Sequence, residues 1–316
     1  MGEGLREILE FLRATPAIED KANIRQAFAP ALDVTFSAAP VGDDCAAIPD
    51  QAGGFLLLAA EGLLPGFVAE DPWFAGYCAV MVNVSDICAM GGRPIGLVDV
   101  LWATSHAATE PIWDGMRTAA RDYTVPIVGG HTTLSRADQP VYLAAAILGR
   151  ARSLLTSFDA RPGDVLLMAA DLSGSYRADK PFWNASVGTD PTRLRQLIEL
   201  LPQIAENGWC RAAKDISNGG IVGTLLMLLE CSGVGAVLDL DKIPKPDGVD
   251  LKKWLISFPS YGYLLSVNHE FHRPVVELFA EHEICCQAIG KVVEGQSLSV
   301  QLAGQAATFE QGGSHA

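Results

Sequence analysis

A chain of 316 residues is long for one core and short for three, so two domains are expected. Its composition, 49% hydrophobic, supplies enough apolar mass for both, and a formal net charge of −14 argues against nucleic acid, whose binding rests on a basic surface. No run reaches the roughly eighteen uncharged apolar residues of a membrane span, which excludes an α-helical membrane protein.

The first fifteen residues place Leu5, Ile8, Leu9 and Leu12 on one side of an amphipathic helix and lack a secretory pattern. The seven cysteines, odd in number and mostly set in apolar segments, read as reduced core residues. Both features suit a soluble cytoplasmic protein. A second short helix is expected at 19–29. VGDDCAAIPD, 41–50, is a turn with Asp43 and Asp44 in it, leading into a strand. Residues 53–64 form a buried strand with one acid, Glu61, near its end. Pro72 opens a long helix to residue 91, on which Asn83 and Asp86, three apart, share a face. Val82, Val84, Ile87, Cys88, Ala89 and Met90 fill most of the rest, so this helix is buried, and a carboxylate inside it requires a cation or several donors. Gly91-Gly92-Arg93-Pro94 then turns the chain into a strand at 95–101. A helix from Glu110-Pro111 to Tyr123, a short strand breaking into a turn at Gly129-Gly130, and a buried strand at 141–151 follow. Composition shifts at SFDARPGD, 157–164, and the domains are accordingly placed at 1–150 and 151–316.

The second half alternates strand and helix again. VLLMAAD is a strand, and the polar, glycine-punctuated stretch 172–190 is a loop of a length that usually serves function. Thr189 or Asp190, with Pro191, starts a helix carrying Leu194, Leu197, Ile198, Leu201 and Ile204. KDISNGG gives a strand end and a glycine turn before a helix to about Cys231. YGYLLSVN, FHRPVVELFAEHE and CCQAIGKVVEG complete a strand, helix, strand series, and the tail after Phe309 is expected to be disordered.

Four polar clusters stand at the ends of apolar elements: Asp43-Asp44, Asn83 with Asp86, Gly129-Gly130-His131-Thr132, and Lys214 to Gly220. If Asp43, Asp44, Asp86 and Asp215 converge, each pair near 4 Å costs about 4 kcal/mol at an effective dielectric of about 20, which only a bound cation makes tolerable. Carboxylates with few histidines favour a hard, oxygen-liganded ion, Mg²⁺ first, completed by nucleotide phosphates. The glycine pairs let backbone N–H groups approach phosphate, and Gly219-Gly220 would open a helix whose N-terminus favours an anion. In the loop at 173–188, Tyr176, Arg177, Asp179, Lys180 and Asn184 offer groups of both signs to a small-molecule acceptor.

The order GDDCAAI, VNVSDICAMGGRP, IVGGHT, ARPGDVLL, DISNGG and AIGKV resembles the superfamily of aminoimidazole ribonucleotide (AIR) synthetase, thiamine-monophosphate kinase, selenophosphate synthetase and the hydrogenase-maturation dehydratase, over nearly the whole chain. That resemblance implies a two-domain α+β, AIR-synthase-like (PurM-like) fold. The N-terminal strands would pair across a homodimer into a β-barrel, and an α+β C-terminal domain would follow. It further implies ATP with Mg²⁺, metal ligands at Asp43, Asp44, Asp86 and Asp215, and a nucleotide site lined by Asn83, Gly129 and Gly130, with His131, Gly219 and Gly220 beside it. His131, Lys214 and Asn218 are the catalytic candidates. The chain departs from the kinase-like pattern in three places. Ala60-Glu61 stands for Thr-Asp, His131 for the acid of GGD, and Asn218 for an acid of DISDGG. An imidazole and an amide are poorer Mg²⁺ ligands, so fewer ions, or a softer one such as Mn²⁺, are alternatives. The expected activity is ATP-dependent phosphoryl transfer to, or activation of, a small metabolite. The alternative is a catalytically silent nucleotide-binding or scaffolding homodimer.

Overall fold

The computed structural model describes residues 3–21, 37–134 and 139–310, which form two compact units. Of the helix expected at 19–29 only 19–21 lie within the described residues, in a helical stretch that begins earlier, at Pro16, and of the tail after Phe309 only Glu310 does. Among the described residues no helix is long and apolar enough to cross a membrane.

The first unit comprises 44–154 with 188–203. Its five-stranded sheet runs in the order β1 (Ala46–Pro49), β2 (Phe55–Leu63), β5 (Tyr142–Ala151), β3 (Gly92–Ala103), β4 (Ile127–Leu134). All neighbours are antiparallel except β3 and β4, which are joined by a helical crossover and run parallel. After a short α2 (Pro65–Glu70) comes α3 (Pro72–Ala89), begun by Pro72 in its first turn and capped by Asp71, whose side chain accepts from the Phe74 amide. Apolar almost all round, α3 is buried from Phe74 to Ala89 save Val82. The crossover helix α4 (His106–Tyr123) starts earlier than Glu110-Pro111 suggests, because Ser105 caps it by accepting from the Ala108 amide. The two helices meet backbone to backbone: a Cβ on Gly115 would collide with the Trp73 carbonyl, and one on Gly76 with that of Ile112.

Alternation along the strands gives the sheet two different faces. Leu57, Ala59, Leu97, Leu101, Leu143, Ala145 and Ile147 are buried, whereas Leu58, Val98, Trp102, Tyr142 and Leu148 point outward and are exposed. The strands that read as buried are therefore buried on one face only. The sheet has free edges at β1 and β4, so it does not close into a barrel within one chain. At the other end of this unit lie α5 (Pro191–Leu197), capped by Asp190, and the first turn of α6 (Leu200–Glu206). The single helix expected over 191–204 is thus two short ones.

The second unit comprises 1–43, 155–187 and 204–316. Its seven-stranded sheet has the order β15 (Gln305–Phe309), β14 (Leu298–Leu302), β10 (Gly235–Asp239), β13 (Cys285–Val293), β6 (Val165–Ala170), β12 (Gly262–Val267), β9 (Ala212–Asp215). The β14–β15 hairpin is unanticipated by periodicity. It turns through Ala303 and Gly304, both at positive φ, the geometry of a two-residue loop in which only the second residue advertises itself in the sequence. Against the sheet pack α1 (Glu3–Arg13) and α7 (Gly220–Ser232), so that Leu5, Leu9 and Leu12 share one core with Met168, Leu225, Leu228, Leu264 and Val300. This is why the N-terminal helix joins the C-terminal half rather than residues 44–154. The stretch 172–190 contains β7 (Ser175–Tyr176) and β8 (Phe182–Asn184), which with β11 (Phe258–Pro259) form a small sheet. Beyond α8 (Leu251–Leu255), α9 (His272–Glu281) completes the unit.

Candidate functional site

In the first unit, Asp44 ends the turn before β1 and Asp86 sits in the last turn of α3, and a carboxylate oxygen of each lies within 4.8 Å of the other. Asn83, one turn earlier, is wholly buried. Its Nδ2 donates to the Ala79 carbonyl at 2.8 Å and to the Ala145 carbonyl of β5 at 3.4 Å, which fixes the amide and leaves Oδ1 with no hydrogen-bond donor among the described residues. α3 is held at this end by the Arg93–Glu199 ion pair, 2.7 Å, and by the Cys88 thiol, which donates to the Ile198 carbonyl at 3.5 Å. Burial, reinforced by Glu199, pushes the Cys88 thiol pKa well up, so it is an inert packing group.

Gly129, Gly130 and His131 lie within the edge strand β4, not in a turn. Pairing carries the chain straight through the glycines, with Gly130 opposite Asp99 and His131 opposite Val100. Gly130 is required there, since a Cβ would collide with Asp99 Oδ1. His131 is exposed on the outward face of the sheet, its Nε2 3.1 Å from the Thr133 hydroxyl. Sequence reasoning passed over Asp99 because it sits in an apolar run. It is buried, and its pKa is raised because burial disfavours the charged form.

In the second unit, Asp43 is engaged by the 157 turn: the Ser157 amide donates to Oδ2 at 2.8 Å and its hydroxyl to Oδ1 at 2.7 Å. Lys214 and Asp215 are buried at the end of β9. The following turn delivers Gly219 and Gly220, both at positive φ, to the start of α7, where a Cβ on Gly220 would strike the Leu255 carbonyl. Asn218 lies between the Ser217 amide, which donates to the Thr224 hydroxyl at 3.3 Å, and Gly219. Lys21 was not singled out from the sequence, yet its Nζ donates to Ser217 Oγ at 3.1 Å and lies 3.1 Å from Met227 Sδ. With Lys21 and Ser217 separated by 196 positions, no local signal could have found it.

The 173–188 stretch is more structural than its polarity suggests. Tyr176 packs edge-on against Trp183, which packs edge-on against Trp254, and its hydroxyl lies 2.7 Å from Ser257 Oγ. Lys253 sits 4.0 Å above the Tyr176 ring, and burial raises the phenol pKa. Asn184 Oδ1 accepts from the Ser186 and Val187 amides, holding the turn. Arg177 is half-buried, while Asp179 and Lys180 project into solvent.

An acid on a buried helix facing another before the first strand, glycines where backbones crowd, and sheets packed with helices define a two-unit α+β architecture. Comparison with known families matches residues 42–151 to the N-terminal domain of AIR synthase related proteins and residues 161–303 to the C-terminal domain. The chain belongs to this family. An uncharacterized protein of Synechocystis sp. is 50% identical over 271 residues, 85% of this chain and 83% of that protein. The thiamine-monophosphate kinase of Synechococcus elongatus is 25% identical over 305 residues, 88% of this chain and 91% of the kinase. Among solved structures, Thermotoga maritima PurL complexed with ADP superposes with a TM-score of 0.72 at 20% identity, covering 86% of this chain and 45% of that one, a likeness of fold. The superfamily includes ATP-using kinases and synthetases.

Proposed function

We propose that the protein is an ATP- and Mg²⁺-dependent enzyme that transfers the γ-phosphoryl group to a small metabolite, or activates an amide or carbonyl oxygen of one by phosphorylation. The observation that carries this reading is the approach of the Asp44 and Asp86 carboxylates, with Asn83 and its undonated Oδ1 on the same helix three residues before Asp86. Oxygen donors of this kind suit a hard divalent cation, and two buried or half-buried acids at such a distance repel each other without one. Asp44 and Asp86 are the first choice of ligands. Asp43 and Asp215 are the further ones proposed, Asp43 with one acceptor lone pair on each oxygen already committed to Ser157. When bound, the ion would neutralise charge on the phosphates. The rest of the catalysis would be positioning: Asn83, Gly129 and Gly130 against the nucleotide, Gly219, Gly220 and Lys21 against an anionic group, and Arg177, Asp179 and Lys180 toward the acceptor. His131, Lys214 and Asn218 remain the candidates for a direct role.

A homodimer in the cytoplasm is part of the proposal. The outward sheet face, with Leu58, Val98, Trp102, Tyr142 and Leu148 exposed, is the surface a second copy would cover. The test is calorimetric titration of ATP with and without Mg²⁺, followed by phosphoryl transfer against a panel of small alcohols, amines and phosphomonoesters. Mg²⁺-dependent binding with turnover supports the enzyme. Binding without turnover on any acceptor, and without slow hydrolysis, supports a silent nucleotide-binding dimer instead. No binding at all refutes both.

A further inference from the structure

Asp99 lies in the middle of β3 on the face covered by α3 and α4, with 1% of its surface exposed. Neither carboxylate oxygen accepts a hydrogen bond from another residue among those described. Its neighbour on the edge strand is Gly130, and the carboxylate occupies the space a side chain there would need. Just before it, between Leu97 and Val98, the β3–β4 register slips. An ion in such a place is costly unless donors or an opposite charge meet it. Among the described residues the cations of the surrounding elements pair with other acids: Arg93 with Glu199, Arg117 with Asp114, Arg121 with Asp122 and Arg150 with Asp50. Glu61 on β2 stands in the same cross-sheet row through Ala145, Asp86 is on α3, Asp122 on α4, and His131 on β4 belongs to the opposite face.

We propose that Asp99 is a proton-controlled latch on the edge strand β4: protonated, it lets Gly129 to His131 pair against β3, and ionised, it loosens that pairing. On ionisation the carboxyl O–H bond breaks and the proton passes to water, with no other bond made or lost. The consequence for ligands rests on the reading that Gly129 and Gly130 line the nucleotide site, but the latch itself acts without a ligand.

The linkage has a definite sign. An opened strand exposes Asp99 to water, where a carboxyl titrates near about 3.9, while the closed strand holds it above that value. Between the two, the closed form keeps a proton that the open form has released, so opening becomes about tenfold easier per pH unit and then levels off. Hydrogen exchange of the ligand-free protein, corrected for intrinsic base catalysis, reads this directly between about pH 4.5 and about pH 8. Protection of the Val128 to Thr132 amides should fall about tenfold per unit over the lower part of that range, while Leu57 to Ala60 on β2 stay level. Asp99→Asn should make the β4 profile flat, and Asp99→Ser should do the same if the amide variant fails to fold. Identical profiles in wild type and variant, or a parallel fall on β2, would overturn the latch. Because no nucleotide is present, loss of the proposed enzymatic function would leave the result untouched.

Discussion

Replacing Asp86 by Asn tests the acid pair with two readings of opposite sign. The substitution keeps the shape of a side chain in the buried last turn of α3 and removes one negative charge from the pair with Asp44. Two unit charges at 4.8 Å interact by about 3.5 kcal/mol at an effective dielectric of about 20. Asp44 is only half-buried, so solvent screening reduces this to about 1–2 kcal/mol. For a unit of this size each kcal/mol moves the melting temperature by about 2–8 °C, so metal-free Asp86→Asn should melt several degrees above wild type. Adding Mg²⁺ with ATP should reverse the order. Wild type gains stability by mass action, about 2.7 kcal/mol at a hundredfold excess over Kd, and the variant loses most of that gain. Differential scanning calorimetry in chelator and in Mg²⁺–ATP reads both. A variant that matches wild type in chelator and shifts as much with Mg²⁺–ATP would show that Asp86 neither repels Asp44 nor serves the metal.

Other outcomes follow from packing. Gly115→Ala should cost about 1–3 kcal/mol or more, because its methyl group meets the Trp73 carbonyl. Gly66→Ala, in open space on α2, should be neutral or slightly stabilising, and denaturant melts of the pair would expose an error in the α3–α4 contact. Leu148→Glu, on the outward sheet face, should convert a dimer to monomers in sedimentation velocity; a wild type that is monomeric at micromolar concentration removes the second copy from that face. Burial raises the thiol pKa of Cys88 and Cys286 strongly and that of Cys210 to about 12, so all three stay protonated well above neutral pH. Native-state alkylation near pH 8 should therefore be far slower at these sites than in denaturant, and rates typical of a free thiol at Cys88 would contradict its burial.

Much of this architecture was legible in the chain because it rests on local periodicity. Pro72 and the apolar run behind it specify a buried helix, Asn83 and Asp86 fall on one face of it by their spacing alone, and the motif order from GDDCAAI to AIGKV marks the family. What depended on tertiary structure was every property set by which strand lies next to which. Periodicity cannot say that the 53–64 and 141–151 strands bury one face and expose the other, because Leu58 and Leu148 are as apolar as Leu57 and Ile147. It cannot show that Gly129-Gly130 is strand rather than turn, since that is decided by the pairing of 127–134 along β3. Nor can it assign α1 to the C-terminal half, or bring Lys21 to Ser217, for these contacts join residues far apart in sequence. A local pattern records which side chains avoid water, whereas the partner they find is decided by the packing of the whole chain.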